Sequence, residues 1–368
     1  MRAPKLQGRQ YTALAVLAIV FLVLLFAFPG FSNKIQQPLT VNFKEEFNIL
    51  VTGGAGFIGS HIVEFFESEP KCQTIVVLDN LHTGKEDNIK NFKKVKIFKE
   101  SITNREVVRT ILKDHSIKYI FHLGALISVA ESMTKLQDYV DVNVSGTNVL
   151  LEEAQKAPSV KSFVLSSSAA LYGSDPTVPK QESMKPDCQS PYAQTKLDGE
   201  FLCKHYTEFN PHRKDFVAVA LRYFNVFGER QDPKSEYAAA IPRFIQSACS
   251  SEAIQIFGDG HQTRDFVYVK DVVWANVFTA VHAKKFDVFN VGYGQYIEIG
   301  ELATIVRNQC SKLVDDKIPA IKYGDPRPGD VRYSMASIQK LLDLGWRPKF
   351  EFKKSLENTV KYLHGTII

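Results

Sequence analysis

The feature that most constrains this chain is a glycine loop set directly behind an apolar strand. Phe47–Thr52 (FNILVT) reads as a buried β-strand, and Gly53-Gly54-Ala55-Gly56-Phe57-Ile58-Gly59 follows it without a spacer. A helix is predicted from about Ser60 to Ser68. The loop satisfies G-x-G-x-x-G through Gly54, Gly56 and Gly59, and G-x-x-G-x-x-G through Gly53, Gly56 and Gly59. Glycines let the backbone turn sharply and approach a pyrophosphate, whose charge then meets the positive N-terminus of the next helix. Such a motif carries weight only between a strand and a helix, and both flanks are present. The second strand, Gln73–Leu78, ends at Asp79, twenty residues after Gly59. A carboxylate there can accept hydrogen bonds from the adenosine ribose hydroxyls and repels a 2′-phosphate, which favours NAD over NADP.

Further strands are predicted at Val95–Phe98, Tyr119–Leu123, Ser162–Leu165 and Val217–Leu221, with helices at Ile102–Asp114 and Asp141–Lys156. This alternation predicts an α/β fold, a Rossmann doubly wound parallel sheet with helices on both faces. From about Asn225 the pattern turns irregular, with Pro and Gly clusters such as Gly258–Gly260 and Tyr323–Asp330. We therefore expect a Rossmann domain over 47–225 and mainly a smaller C-terminal substrate lobe over 226–368, with about 262–292 able to return to the Rossmann domain.

Tyr11–Phe28 holds eighteen residues without a charge, and Pro29 and Gly30 end the run. That length just crosses a hydrocarbon core, so 11–31 is expected to be an N-terminal transmembrane helix acting as a signal anchor, and 32–46 a linker. Arg2, Lys5 and Arg9 precede the run with no acid, whereas Lys34, Lys44, Glu45 and Glu46 behind it nearly cancel. The positive-inside rule puts tail 1–10 in the cytosol and the rest across the membrane, as a type II protein of the Golgi or ER lumen. The rival is a cleaved signal peptide, but the run exceeds a usual h-region and Phe-Pro-Gly-Phe-Ser is a poor cleavage site.

Apolar content of 45% and charged content of 23% are those of an ordinary globular protein. Much of the net charge of +5 lies in the tail and in Lys85–Lys99, which lacks the interleaved aromatics of a nucleic-acid site and reads as solvated surface. The five cysteines are odd in number and without metal-type spacing, which argues against a disulfide framework and a zinc site; no metal is expected. Cys72 reads as structural.

Tyr192-Ala193-Gln194-Thr195-Lys196 is Y-x-x-x-K. Residues four apart share a helix face, so the ammonium sits near the phenol and favours its phenolate, as does a nearby positive nicotinamide ring. The phenol can then act as a general base. Ser166-Ser167-Ser168 lies upstream at the end of the fifth strand, and Ser168 can share a proton with a substrate hydroxyl. Ser168, Tyr192 and Lys196 are the candidate catalytic set.

TGGAGFIG, SSSAALYG, SPYAQTK, LRYFNVFG and TRDFVYVKD together resemble the extended short-chain dehydrogenase/reductases that act on nucleotide sugars. The resemblance spans about 47–365 and is strongest to the UDP-hexose 4-epimerases, especially the UDP-N-acetylglucosamine 4-epimerase branch. It implies cofactor contacts at Gly53, Gly56, Phe57, Ile58, Gly59, Asp79, Asn80, Ser101, Ile102, Leu123, Ala125, Asn143, Ser166, Tyr192, Lys196 and Tyr223. It implies substrate contacts at Ser168, Tyr192, Asn225, Arg264, Arg327, Asp330 and Ser334, and a homodimer through paired helices, one carrying Tyr192. A guanidinium fork at Arg264 or Arg327 suits phosphate oxygens, and the Asp330 carboxylate suits ribose hydroxyls.

Dehydratases of this family carry an acid and a base after the Ser/Thr, and UDP-glucuronate decarboxylases keep a glutamate at the second position. Here stand Ala169 and Ala170, which cannot transfer protons. Transient oxidation at C4 with tightly bound NAD, reversed on the other sugar face, is the simplest outcome. At Ser334, seven residues after Arg327, other epimerases place a bulky tyrosine; serine leaves room for a 2-acetamido group and also admits UDP-glucose and UDP-galactose. The segment Ala238-Ala239-Ala240-Ile241-Pro242 likewise matches the N-acetyl type. The alternative is a UDP-glucuronate 4-epimerase or decarboxylase. Asn143-Val144-Ser145 is a glycosylation sequon, expected to be buried and unmodified.

Overall fold

A computed structural model describes residues 40–209, 213–233, 239–314, 319–326 and 331–367. The expected tail, the membrane span and most of the linker, together with Ala238, Arg327 and Asp330, lie outside the described residues. Among the described residues no helix is long and apolar enough to cross a membrane.

Seven strands form the central sheet: β1 (Phe47–Thr52), β2 (Cys72–Leu78), β3 (Val95–Phe98), β4 (Ile117–His122), β5 (Ser162–Ser168), β6 (Val217–Tyr223) and β7 (Val288–Val291). Their order is β7-β6-β5-β4-β1-β2-β3 and every pairing is parallel. The chain reverses direction across the sheet between β1 and β4, the switch point where such folds bind ligands. Strands buried on both faces need apolar side chains at successive positions. Accordingly Ile49, Val51, Ile75, Val77 and Phe121 enter one core, and Leu50, Val76, Leu78 and Ile120 enter the other.

Helix α1 (Phe57–Glu67) covers the first face with Ile62, Val63 and Phe66. On the second face lie α2 (Arg105–Asp114), α3 (Gly146–Lys156) and α4 (Pro191–Glu208), through Val108, Ile111, Leu150, Leu151 and Cys203. Several boundaries differ from the sequence expectation. Helix α1 starts at Phe57 rather than Ser60, so its first turn is part of the glycine loop. Asn104 caps α2 by accepting from the Val107 amide at 3.3 Å, which delays its start beyond Ile102. The expected helix Asp141–Lys156 begins as a π-helical stretch, Val140–Ser145. Strand β5 runs on to Ser168, so the serine run is strand rather than turn.

Beyond β6, the helix Val269–His282 packs into the first core and β7 extends the sheet beside β6. A separate core holds the helices Ala240–Cys249, Ile299–Cys310 and Phe352–Ile367. Here Cys249 and Cys310 form a disulfide, with Cα atoms 5.2 Å apart. This corrects the reading of the odd cysteine count: parity says nothing of two helix ends that meet across 61 residues of sequence. Cys72 and Cys203 are free and buried, as structural cysteines are.

Candidate active site

The cleft lies at the C-terminal edge of the sheet. Its walls include Gly53, Gly56, Phe57, Ile58, Gly59, Asp79, Asn80, Ser101, Ile102, Leu123, Ala125 and Ser166, all expected from the sequence. They also include His82, Thr83, Gly124 and Val142, which were not. The glycine loop is shaped for close approach. Gly53 has φ +66, and a Cβ at Gly59 would stand 2.1 Å from the Gly53 carbonyl oxygen. Asp79 does more than face a ribose: Oδ2 accepts from the Ala55 amide at 2.9 Å and Oδ1 from the Leu81 amide at 2.8 Å. It thereby braces the loop it was expected to complement. A glycine loop packed this closely on the first turn of α1, opening on a helix N-terminus and a carboxylate, fits a dinucleotide.

Ser190 caps α4 by accepting from the Ala193 amide at 3.2 Å, and Pro191 occupies its first turn. Tyr192 therefore sits at the start of the helix, beside the end of β5. Burial pushes the Tyr192 phenol up, and the nearby Ser168 side chain pulls the other way, toward the phenolate. Lys196 Nζ lies 5.9 Å from the Tyr192 ring centre and donates to the Ser166 carbonyl at 2.8 Å. Burial pushes this lysine down to about 8. The spacing thus brings lysine and phenol together as expected, but the ammonium's hydrogen bond goes to β5.

Under the site lies an ion pair that the sequence reading missed. Arg222 on β6 donates from Nε and Nη2 to the two oxygens of Glu200 on α4 at 2.9 and 2.8 Å, with both side chains buried. Ser167 Oγ donates to Glu200 Oε1 at 2.6 Å. Arg222 Nη1 donates to Tyr172 Oη at 3.0 Å, and Tyr172 donates to Asn290 Oδ1 at 2.6 Å. The network ties β5, β6, β7 and α4 together directly beneath Ser168. Glu200 follows Lys196 by one helical turn, the only sequence signal it gave.

Ser168 Oγ also accepts from the Ala170 amide at 3.1 Å, at the head of the turn Ala169–Tyr172. Asn143 is buried: its Nδ2 donates to the Leu126 carbonyl at 3.0 Å and to Thr195 Oγ1 at 3.1 Å. A sequon asparagine so engaged is inaccessible for glycan attachment. Tyr223, expected at the cofactor, is buried, and its hydroxyl donates to Asn276 Oδ1 at 2.9 Å on the helix Val269–His282.

Among the substrate candidates, Asn225 is bound by Asp265. The Asp265 carbonyl accepts from both the backbone and the side-chain amide of Asn225, each at 3.1 Å. Its carboxylate accepts from the amides of Tyr293, Gly294 and Ala336 at 2.7, 3.0 and 3.0 Å. Arg264 precedes it, half-buried, with Nη1 donating to the Thr263 carbonyl at 2.8 Å, and half-buried Ser334 lies two residues before Ala336. Burial pushes Asp265 up to about 6 against the opposing pull of its three amides.

A glycine loop, a carboxylate lining the cleft beside it and a Ser–Tyr–Lys set on one parallel sheet define a dinucleotide-dependent enzyme of the tyrosine–lysine type. The chain belongs to the NAD dependent epimerase/dehydratase family, whose model matches residues 49–292. NAD is its cofactor. The chain is similar to a putative UDP-glucose 4-epimerase of Methanocaldococcus jannaschii, 36% identical over 86% of this chain and 98% of that one. It is similar to the UDP-N-acetylglucosamine 4-epimerase of Methanobrevibacter ruminantium, solved with UDP-N-acetylmuramic acid: TM-score 0.78, 36% identity, 88% of this chain and 99% of that one. It is equally similar to the UDP-glucose 4-epimerase of Thermotoga maritima, solved with UDP-glucose: TM-score 0.78, 36% identity, 87% and 100% covered.

Proposed function

We propose that this protein interconverts UDP-N-acetylglucosamine and UDP-N-acetylgalactosamine at C4, and accepts UDP-glucose and UDP-galactose as well. By family, the chain is an NAD-dependent UDP-sugar 4-epimerase, an isomerase. The observation that carries the reaction type is Ser168 beside Tyr192, followed by Ala169 and Ala170 instead of an acid and a base.

When bound, NAD supplies the hydride acceptor for C4 and returns the hydride. Gly53, Gly56, Gly59 and Asp79 hold it. Tyr192 Oη takes the proton of the sugar 4-hydroxyl, and Ser168 Oγ orients that hydroxyl. The 4-keto sugar turns about its diphosphate linkage, and Tyr192 returns the proton to the oxygen on the opposite face. Lys196, fixed on the Ser166 carbonyl, keeps positive charge beside the phenol. Asn225, Arg264, Arg327 and Asp330 hold the nucleotide diphosphate and ribose, and Ser334 leaves room for the acetamido group. Incubation with UDP-GlcNAc, UDP-glucose and UDP-glucuronate, followed by NMR without added NAD, tests this. Epimerised UDP-GlcNAc supports it; CO2 from UDP-glucuronate overturns it.

We further propose a homodimer through α4, where Phe201 and, just past the helix end, Phe209 are exposed at 65% and 67% with His205 packed between their rings. Light scattering on wild type and F201D tests it. The type II topology in the Golgi or ER lumen rests on the apolar run at 11–28, and the Cys249–Cys310 disulfide supports an oxidising compartment. Protease protection in sealed microsomes decides it.

A further inference from the structure

Strand register places Thr52, the last residue of β1, beside His122, the last of β4. The His122 ring is buried between two hydroxyls: Nδ1 lies 2.7 Å from Thr52 Oγ1 and Nε2 lies 2.9 Å from Thr147 Oγ1. The direction of each bond follows from groups that can act in one sense only. Thr147 spends its hydrogen on the Asn143 carbonyl at 2.5 Å, so its oxygen must accept from His122 Nε2. A ring carrying its proton on Nε2 presents a lone pair at Nδ1, to which Thr52 donates. Thr52 Oγ1 in turn accepts from the Gly124 amide at 3.0 Å.

The same directionality continues on the far side. Asn143 Oδ1 accepts from the Leu126 amide at 2.8 Å, which identifies the other amide atom as the donor to Thr195 Oγ1 at 3.1 Å. Thr195 donates to the Tyr192 carbonyl at 2.9 Å. Asn143 stands in the π-helical stretch Val140–Ser145, an irregularity that lets its carbonyl and its side chain face two partners at once.

We infer that His122 is a positioning residue: as the neutral Nε2–H tautomer it couples the end of the cofactor loop at Thr52 and Gly124 to the Tyr192 turn of α4, through Thr147, Asn143 and Thr195. It touches neither reactant. Its task is to give the two halves of the site one shared frame, so that the phenol is held relative to the cofactor cradle within the fraction of an ångström that proton and hydride transfer require. Burial, with the Lys196 charge second, pushes the ring down to about 3, which keeps it neutral under working conditions.

The catalytic consequence rests on the epimerase reading; the tautomer does not, so the two can fail separately. The test begins with 15N-histidine NMR of the unaltered protein, His122 being assigned by its loss in H122Q. The expected signature is Nε2–H with a bare Nδ1, unchanged from about pH 5 to 9. A Nδ1–H ring, or titration near pH 6.5, overturns the inference whatever the protein catalyses. The second arm compares H122L, which removes both bonds, with H122Q, whose amide can still donate to Thr147. H122L should lower kcat about ten- to a hundredfold at unchanged KM and unchanged bound NAD, with H122Q recovering part of the loss. Equal kcat in the folded fractions of both variants and wild type overturns the positioning role.

Discussion

The two ends of the cleft are built in opposite ways. The cofactor end is local: Gly53–Gly59 and Asp79 come from one β-α-β unit, and the chain's own backbone folds it. The end expected to hold the substrate is gathered from distant segments: Asp265, next to Arg264, binds Asn225, Tyr293, Gly294 and Ala336. Between the two stands Tyr192, linked to the first through His122 and to Ser168 directly. The contrast explains why one family can keep its redox half while its sugar specificity drifts. Changes in the substrate segments leave the glycine loop untouched.

The comparison can be broken at several points. Y192F should lower kcat by ~10³-fold or more while NAD remains bound, because the proton acceptor is lost and the cradle is not; a spectrum of the purified variant reads the cofactor. Turnover near wild type would remove the phenol from the mechanism. In the cofactor half, G59A forces a Cβ against the Gly53 carbonyl, 2.1 Å away on the present backbone. Relieving that clash displaces the loop, so purified G59A should carry little NAD and should be destabilised by about 3 kcal/mol in denaturant titration. Full occupancy would show that the loop yields.

In the substrate half, D265A strips the acceptor from three backbone amides and should cost roughly 3 kcal/mol of stability by denaturant titration. The folded fraction should keep NAD and show a raised KM for the UDP-sugar. A lowered NAD content with normal KM would contradict the division between the halves. Under the junction, E200Q or R222M alone leaves a buried charge unmatched and should destabilise by about 3–5 kcal/mol, whereas the paired change E200L/R222M should regain much of that.

At neutral pH the next effect is silent, and it emerges only in acid. His122 is pushed down to about 3 in the fold against 6.5 unfolded, so the unfolded chain binds the extra proton between those values. Stability is whole above pH 6.5 and falls as pH drops toward 3, with His122 contributing at most ~1.4 kcal/mol per pH unit. Stability curves of H122Q should be flatter across that window; parallel curves would show that the ring is not held neutral.

Much of the cofactor half was legible because its signals are short in sequence. A strand, glycines and an acid at fixed spacing determine a phosphate cradle almost regardless of context. The Y-x-x-x-K pair is legible for the same reason, since one helical turn brings the two side chains together. Tyr223 shows what spacing does not report: its hydroxyl is taken by Asn276, supplied by the helix Val269–His282. The seventh strand, Val288–Val291, is too short to separate by pattern from the irregular region around it. The disulfide joins cysteines 61 residues apart, and no count reports which helix ends meet.

By itself, then, the sequence determined the parallel sheet, the dinucleotide cradle and the Ser–Tyr–Lys chemistry, because each depends on residues a turn or a strand apart. Tertiary structure alone decided that Asp79 braces the loop it serves, that Arg222 and Glu200 sit under Ser168, that Asp265 ties the sugar side together and that His122 carries its proton on Nε2. Those are matters of which buried polar group finds which partner. Burial makes an unpaired group costly, so these groups are held by partners, and those partners come mostly from other strands and helices rather than from neighbours along the chain.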